Sequence, residues 1–267
     1  MKTDVPRISV IIPARNEVAL IGSTVASVLR ARERFRDVWG DAARVEVIVV
    51  DNASDDGTID ALVPHLREPD VRVVPLEHLG AARARNHGAR LSAASSLLFL
   101  DADTHLPPNG LVRVAELLER HGFEAGIARI GRLDGGWRAR CWWTFWNHVR
   151  CLPLPRAKAM PACMFCTRAV FDALGPFDER VAIGEEWPIL AELYRDRPRR
   201  FIYDRSLVAL SSGRRMELQP FGYTRTFVRY VWAVLSLRGR IHYSDRVRHS
   251  VSQTVTGESV NWGGDPC

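Results

Sequence analysis

Four short apolar runs recur through the first hundred positions, each closed by a polar turn and separated from the next by a stretch of helical composition. They are Ile8-Ser9-Val10-Ile11-Ile12, Val45-Glu46-Val47-Ile48-Val49-Val50, Val71-Arg72-Val73-Val74 and Leu97-Leu98-Phe99-Leu100. Runs this apolar, rich in β-branched residues and without strict alternation, fit strands buried on both faces. Between the first two, residues 17–32 place Val18, Ile21, Val25, Val28 and Leu29 on one helical stripe, and 57–67 and 81–94 also have helical composition. Strand and helix in alternation predict a three-layer α/β fold, its central sheet mostly parallel and wrapped by helices.

The rhythm changes after about residue 104. The stretch 137–155 is dense in Trp, Arg and Pro, short helices are expected at Ala169–Leu174 and Glu186–Tyr194, and 221–238 has the pattern of a longer amphipathic helix. With 267 residues, one large domain is expected. Its expected parts are a first half over 1–104, a second half over 105–240 and a loosely held polar tail over 241–267.

Charge narrows the partner. The chain carries 37 Lys and Arg against 31 Asp and Glu, a formal net charge of +6. That balance suits an anionic partner, yet no nucleic-acid module is recognisable, so nucleic acid is not expected. Five cysteines, Cys141, Cys151, Cys163, Cys166 and Cys267, form no disulfide framework, and Cys163-Met164-Phe165-Cys166 lacks the second pair a zinc site needs. The chain reads as cytoplasmic. The N-terminus has no signal-type apolar core and no apolar run approaches the roughly 18 residues of a membrane span. Peripheral contact with the inner face of a membrane stays open through residues 138–150, where Trp142, Trp143 and Trp146 alternate with Arg138, Arg140 and Arg150. The same stretch is equally readable as a sugar-stacking platform, an interface or a core helix.

In open parallel sheets the ligand crevice lies beyond the carboxyl ends of the strands, and here each such end is polar. The fourth run ends in Asp101-Ala102-Asp103. In extended backbone, residues i and i+2 project to one side, so these acids are candidate hard-oxygen ligands for Mg²⁺ or Mn²⁺. Shared with a diphosphate, such a cation would offset charge developing on a phosphate leaving group. A turn or cap pair before a helix starting near Pro108 is the other reading. Asp51, ending the second run, resembles the ribose-binding acid of dinucleotide folds, but the loop Pro13-Ala14-Arg15-Asn16-Glu17 has no G-x-G-x-x-G, which argues against nicotinamide or flavin. Asp51 can instead accept from a base imide N–H or a ribose hydroxyl, or cap its own turn. Asp55-Asp56-Gly57-Thr58 reads as turn and helix start. Ser211-Ser212-Gly213-Arg214-Arg215 offers guanidinium groups to a diphosphate. Scattered histidines, and the absence of a G-x-S-x-G elbow or P-loop, leave no footing for a hydrolase triad or an NTPase.

Through four motifs in order, Ser9 to Glu17, Val49 to Thr58, Gly80 to Gly88 and Leu98 to Asp103, the chain resembles the family 2 glycosyltransferases of GT-A fold. The resemblance implies a nucleoside-diphosphate sugar donor, with Pro13, Ala14, Arg15, Asn16, Glu17 and Asp51 around base and ribose, Arg85 lining the donor pocket, and Asp101 and Asp103 on a divalent cation and the diphosphate. It also implies an inverting transfer to a hydroxyl on a glycan, lipid-linked or small-molecule acceptor, in glycan or cell-envelope biosynthesis. Phe171 to Glu179 followed by Gly184-Glu185-Glu186-Trp187 resembles the family segment ending in a Glu-Asp pair, whose second acid is the general base. Glu186 stands where Asp is usual, so both Glu186 and Glu185 are candidate bases. The processive-synthase pattern Gln-x-x-Arg-Trp is absent, which points to single-sugar transfer. A sugar-phosphate nucleotidyltransferase and a non-catalytic nucleotide-sugar or glycan-binding protein are the alternatives.

Overall fold

A computed structural model describes residues 8–40, 43–158, 162–183 and 185–214, together with 216, 224, 227, 228, 231, 232, 241 and 242. In chain order it runs β1 (Ile8–Ala14), α1 (Ile21–Trp39), β2 (Val45–Asp51), β3 (Val71–Pro75), α2 (Ala81–Leu91), β4 (Ser96–Leu100), β5 (Thr104–His105), α3 (Gly110–Ala115), β6 (Ala125–Arg132), α4 (Trp137–Cys151), β7 (Cys163–Thr167), α5 (Arg168–Leu174), β8 (Val181–Ile183), α6 (Trp187–Asp196), β9 (Phe201–Ser211) and β10 (Ile241–His242). Eight strands form one sheet in the order β3-β2-β1-β4-β7-β6-β9-β5, and β8 pairs with β10 separately. The first four strands are parallel, as their alternation with helices requires. β7 then runs antiparallel to β4 and β6, while β6 and β9 are parallel. The sheet therefore continues through both halves of the chain, mixed in direction beyond β4.

Burial on both faces explains the apolar runs. Ile8, Val10, Ile12 and Ala14 of β1 pack with Val25, Val28 and Phe35 of α1 and Leu111 and Val114 of α3. Ile11 points the other way, into a core shared with Ala82 and Ala89 of α2, Phe171 of α5 and Leu190 and Leu193 of α6. Phe99, Phe171 and Phe177 meet there, with ring centroids 4.9–5.8 Å apart. The small residues of α2 let it lie close to the sheet. A Cβ on Gly88 would stand 2.5 Å from Ile11 Cγ2 and 3.2 Å from Val50 Cγ2.

Several elements differ from the sequence expectation. The helix expected from residue 17 begins at Ile21, and Val18 is 44% exposed instead of lying on the buried stripe. Its backbone N–H is committed to Asp56. The helix then runs on to Trp39 because Phe35 extends the stripe. Residues 57–67 form a 3₁₀ helix over Asp60–Arg67 instead of an α-helix, since Pro64 inside it has no N–H to donate. The helix expected near Pro108 starts at Gly110, after Asn109, and widens into a π turn over Glu116–Arg120. In the 221–238 helix, Thr224, Phe227, Val228, Val231 and Trp232 are helical; its other positions, and the tail beyond 242, lie outside the described residues.

β9 carries a register shift against β6 between Ala128 and Arg129. Asp204 occupies that irregularity, accepting from the backbone and hydroxyl of Ser206 and, at 2.7 Å, from Arg113 of α3. Burial alone would raise its pKa, but the Arg113 and Ser206 hydrogen bonds hold it below the usual carboxylate value. A depressed native pKa contributes stability above the unfolded value, near 4, that is lost as pH falls through the native one. Chemical denaturation is therefore expected to show wild-type stability falling below about pH 5, and Asp204→Asn to be less stable at neutral pH with a shallower acid slope. Gly88→Val is expected to cost about 2–3 kcal/mol in urea unfolding, because α2 cannot approach the sheet around the added side chain.

Candidate active site

The carboxyl ends of β1, β2 and β4 lie side by side where the strand order reverses, β1 being flanked by both others, and the polar residues gather there. The loops after β1 and β2 are tied to one another. Asn16 N donates to Ser54 Oγ at 3.0 Å, Asp55 N to Asn16 Oδ1 at 3.0 Å and Glu17 N to Thr58 Oγ1 at 2.8 Å. Asn16 and Ala53 both take φ of 54°, the left-handed conformation. That strain is tolerated because the cross-loop hydrogen bonds determine the backbone on both sides. The tract Asp55 to Thr58 thus braces the β1 loop.

Pro13 is half-buried and Ala14 buried opposite Asp51, while Arg15 and Asn16 are exposed. Asp51 is 3% exposed. Its Oδ2 accepts from Ser54 N at 3.4 Å, and its Oδ1 has no hydrogen-bond partner among the described residues. The neighbouring Asn52 Oδ1 is also unpartnered. Buried acceptors left this way are costly, and they sit at the end of β2.

The second cluster centres on Arg85 of α2. Its Nη2 donates to Asp101 Oδ1 at 2.8 Å and its Nη1 to Glu185 Oε1 at 2.9 Å, with only 14% of the side chain exposed. Burial opposes the charged guanidinium, yet Asp101, Glu185 and Glu186 together raise its pKa further above the ordinary arginine value. The next residue, Asn86, fixes the loop before the acidic pair. Its Nδ2 donates to the Phe177 carbonyl and to Glu179, and its Oδ1 accepts from Phe177 N at 2.9 Å. Arg83 adds an ion pair to Glu179 at 3.1 Å. Glu186, 5% exposed, stands at the N-cap of α6, where the helix dipole favours a carboxylate.

Asp101 and Asp103 depart from the expected geometry. β4 ends at Leu100, and the acids occupy a turn closed by Thr104 N donating to the Asp101 carbonyl at 3.0 Å. The chain turns there because β5 must pair with β9 at the opposite edge of the sheet. Neither acid caps α3. Among the described residues no group of three or more His, Cys, Asp and Glu is placed to hold a metal.

The end of β9 joins the two clusters. Ser212 N donates to the Asp103 carbonyl at 3.0 Å, and Arg214 pairs with Glu17 across 197 positions of sequence. Asp134 shapes this approach by accepting from Ser212 Oγ at 2.8 Å and Gly213 N at 2.6 Å. Arg215 lies outside the described residues. Asn86, Glu179 and Asp134 were not among the sequence candidates. Asn86 lay within a recognised motif, whereas Asp134, in a Gly-rich turn, gave no signal. Cys163 and Cys166 are buried, and burial pushes both thiols up to about 12, which leaves them inert packing residues.

Comparison with known proteins follows the same lines. A model of glycosyl transferase family 2 matches residues 9–170, more than half of the chain. Validoxylamine A glucosyltransferase of Streptomyces hygroscopicus subsp. jinggangensis is 37% identical over 99 residues, 36% of this chain and 22% of that protein. Undecaprenyl-phosphate 4-deoxy-4-formamido-L-arabinose transferase of Pectobacterium atrosepticum is 25% identical over 141 residues, covering 52% and 41%. Glycosyltransferase AglE of Haloferax volcanii is 27% identical over 189 residues, covering 69% and 60%. The chain thus spans 22% to 60% of the length of these three relatives. Among solved structures, mannosyltransferase PcManGT from Pyrobaculum calidifontis, in complex with GDP-Man and Mn²⁺, aligns over 96% of this chain and 66% of that one with a TM-score of 0.61 at 21% identity. S. aureus TarS 1–349 in complex with UDP aligns over 77% and 60% with a TM-score of 0.57 at 18% identity. These structural likenesses identify the GT-A fold.

Removing the cation from the Arg85 cluster exposes its structural weight. Arg85→Ala leaves Asp101 and Glu185 without their shared partner and is expected to cost about 3–5 kcal/mol in denaturant unfolding. Arg85→Lys should recover only part, since one ammonium does not reproduce the fork that reaches both carboxylates. Equal stability of all three proteins would show that the bridge does not hold the two segments together.

Proposed function

The chain belongs to glycosyl transferase family 2, and from that premise we propose that it transfers a single sugar from a nucleoside-diphosphate sugar to an acceptor hydroxyl with inversion of configuration. Residues 1–104 form the donor half and 105–240 the acceptor half. The observation that carries the reading is the unpartnered Oδ1 of buried Asp51 at the end of β2. A carboxylate oxygen kept dry and without a donor is matched by the imide N–H of a base or a ribose hydroxyl. The loop Pro13 to Glu17, braced against the β2 loop, walls the same place, and Arg85 lines it toward the strand ends. Arg214, on exchanging Glu17 for an anionic ligand, would reach the diphosphate.

Asp101 and Asp103 suit a divalent cation by the chemistry of the donor set, since both offer hard carboxylate oxygens. Asp101 keeps 37% of its side chain exposed, and Arg85 engages its Oδ1. A cation held there would neutralise charge on the departing diphosphate. The GDP-Man and Mn²⁺ of the Pyrobaculum mannosyltransferase complex belong to the same chemical class.

For the acceptor, Glu186 is the base we favour over Glu185. Glu185 is already engaged by the Arg85 guanidinium at 2.9 Å, and Glu186 stands where the family resemblance places the base. Glu186 would take the hydroxyl proton as that oxygen attacks the anomeric carbon and the nucleoside diphosphate departs, while Glu185 and Arg85 fix its position. Positioning both substrates in line supplies a large share of the rate. The acceptor is a hydroxyl-bearing glycan, small molecule or lipid-linked group, and undecaprenyl-phosphate stands in the Pectobacterium relative's name.

Thermal unfolding against UDP, GDP, CDP and dTDP, each with and without Mn²⁺, tests the donor site. A metal-dependent rise for one nucleotide, lost in Asp101→Ala/Asp103→Ala and reduced in Asp51→Ala, is expected. A folded protein that none of them stabilises would instead favour the glycan-binding alternative, and release of pyrophosphate in a donor assay would favour the nucleotidyltransferase. Once the donor is known, Glu186→Gln should lower kcat by about 10²- to 10⁴-fold. A larger loss in Glu185→Gln than in Glu186→Gln would reverse the assignment of the base.

A further inference from the structure

Beyond its first turn, where Ala139 packs on Gly213 after β9, α4 leaves most of its surface uncovered. Of its 15 residues only Ala139, Trp146 and Arg150 are buried. Trp137 is 70% exposed and Phe145 42%. Between α4 and the helical residues that follow β9 lies a groove of about 360 Å³, walled by Trp137, Arg138, Trp142, Phe145, Met216 and Phe227. The Phe227 ring meets Phe145 and Trp142 at centroid distances of 5.1 and 5.8 Å. Val228 and Trp232, both helical, are 60% and 53% exposed.

Charge on these segments is one-sided. Residues 135–171 contain six Arg or Lys and no Asp or Glu, and 213–243 contain six Arg with Glu217 as the sole acid, in a chain that has 31 acids in all. Arg138 and Arg140 are exposed on the first turns of α4. Arg150 and Lys158 are buried, and Lys158 Nζ donates to the carbonyls of Arg150 and Leu152 at the end of α4.

We propose that this face, α4 with Phe227, Val228 and Trp232, docks onto a lipid bilayer surface containing anionic lipid. Indole rings settle at the boundary between headgroups and acyl chains, and arginine stems lie along apolar surface while their guanidinium groups reach phosphate. Segments this poor in carboxylates meet little repulsion from an anionic leaflet. No helix among the described residues is long and apolar enough to cross a membrane, so the contact is a lying one. A neutral glycan would also stack on these rings, but it would gain nothing from the missing acids. The inference goes beyond the transfer reaction and uses none of the residues placed around the donor or named as the base.

Vesicle co-sedimentation of the full chain, without nucleotide or acceptor, tests it. Phosphatidylcholine vesicles containing phosphatidylglycerol are expected to bind at least about tenfold more tightly than phosphatidylcholine alone. Most of that gain should vanish between about 0.1 and 1 M salt, as the Debye length falls from about 10 to about 3 Å. Trp137→Ala and Arg140→Glu, both at exposed positions, should each weaken binding several-fold with unchanged circular dichroism. Equal or absent binding to the two vesicle types, or variants that bind like wild type, would overturn the proposal. So would a wild-type dimer that Trp137→Ala dissociates in the absence of vesicle binding, which would assign the face to a second copy. Because no donor is present, such failures leave the transfer reading untouched.

Discussion

The site depends on one buried guanidinium. Arg85 stands between Asp101, at the end of the fourth parallel strand, and Glu185, in the loop before α6. Alone, either carboxylate would bury the arginine at a cost that one ion pair seldom offsets. Together they give it two charge-assisted hydrogen bonds, with Glu186 adding to the favourable field. The arrangement joins residues 100 positions apart in sequence and draws the two candidate bases toward the strand ends.

That bridge is possible because α2 lies close to the sheet. Ala82, Ala84, Gly88 and Ala89 make its buried face thin, so the helix seats directly on Ile11 and Val50 and carries Arg85 level with the strand ends. Asn86, nearly fully buried, then locks Phe177 and Glu179 to the same helix. An 11-residue helix whose buried face is made of small residues and Asn86 thereby organises much of the site. Exposed Trp137, Arg138 and Arg140 of α4 contrast with it, since they contribute little to the core.

Much of this was legible in the residues. The parallel strands, the three layers and the polar turns after β1, β2 and β4 follow from periodicity and residue type. What misled was local geometry. Val18 fits the helical stripe by spacing, but its N–H is taken by Asp56 of another loop. Asp101 and Asp103 have the spacing of a strand face, yet a turn separates them because β5 is needed across the sheet. The antiparallel β7 carries no local sign of its direction, since a buried strand reads the same both ways.

The sequence by itself determined which segments must be buried and where charged groups interrupt them, because burial follows from local residue type and period. Only the tertiary structure decided which charges meet. Arg85 with Asp101 and Glu185, Arg214 with Glu17, and Asp134 with Ser212 are pairings across 16 to 197 positions. No local propensity encodes them, because each exists only once the sheet has brought distant strand ends together and excluded the water that would otherwise solvate every charge separately.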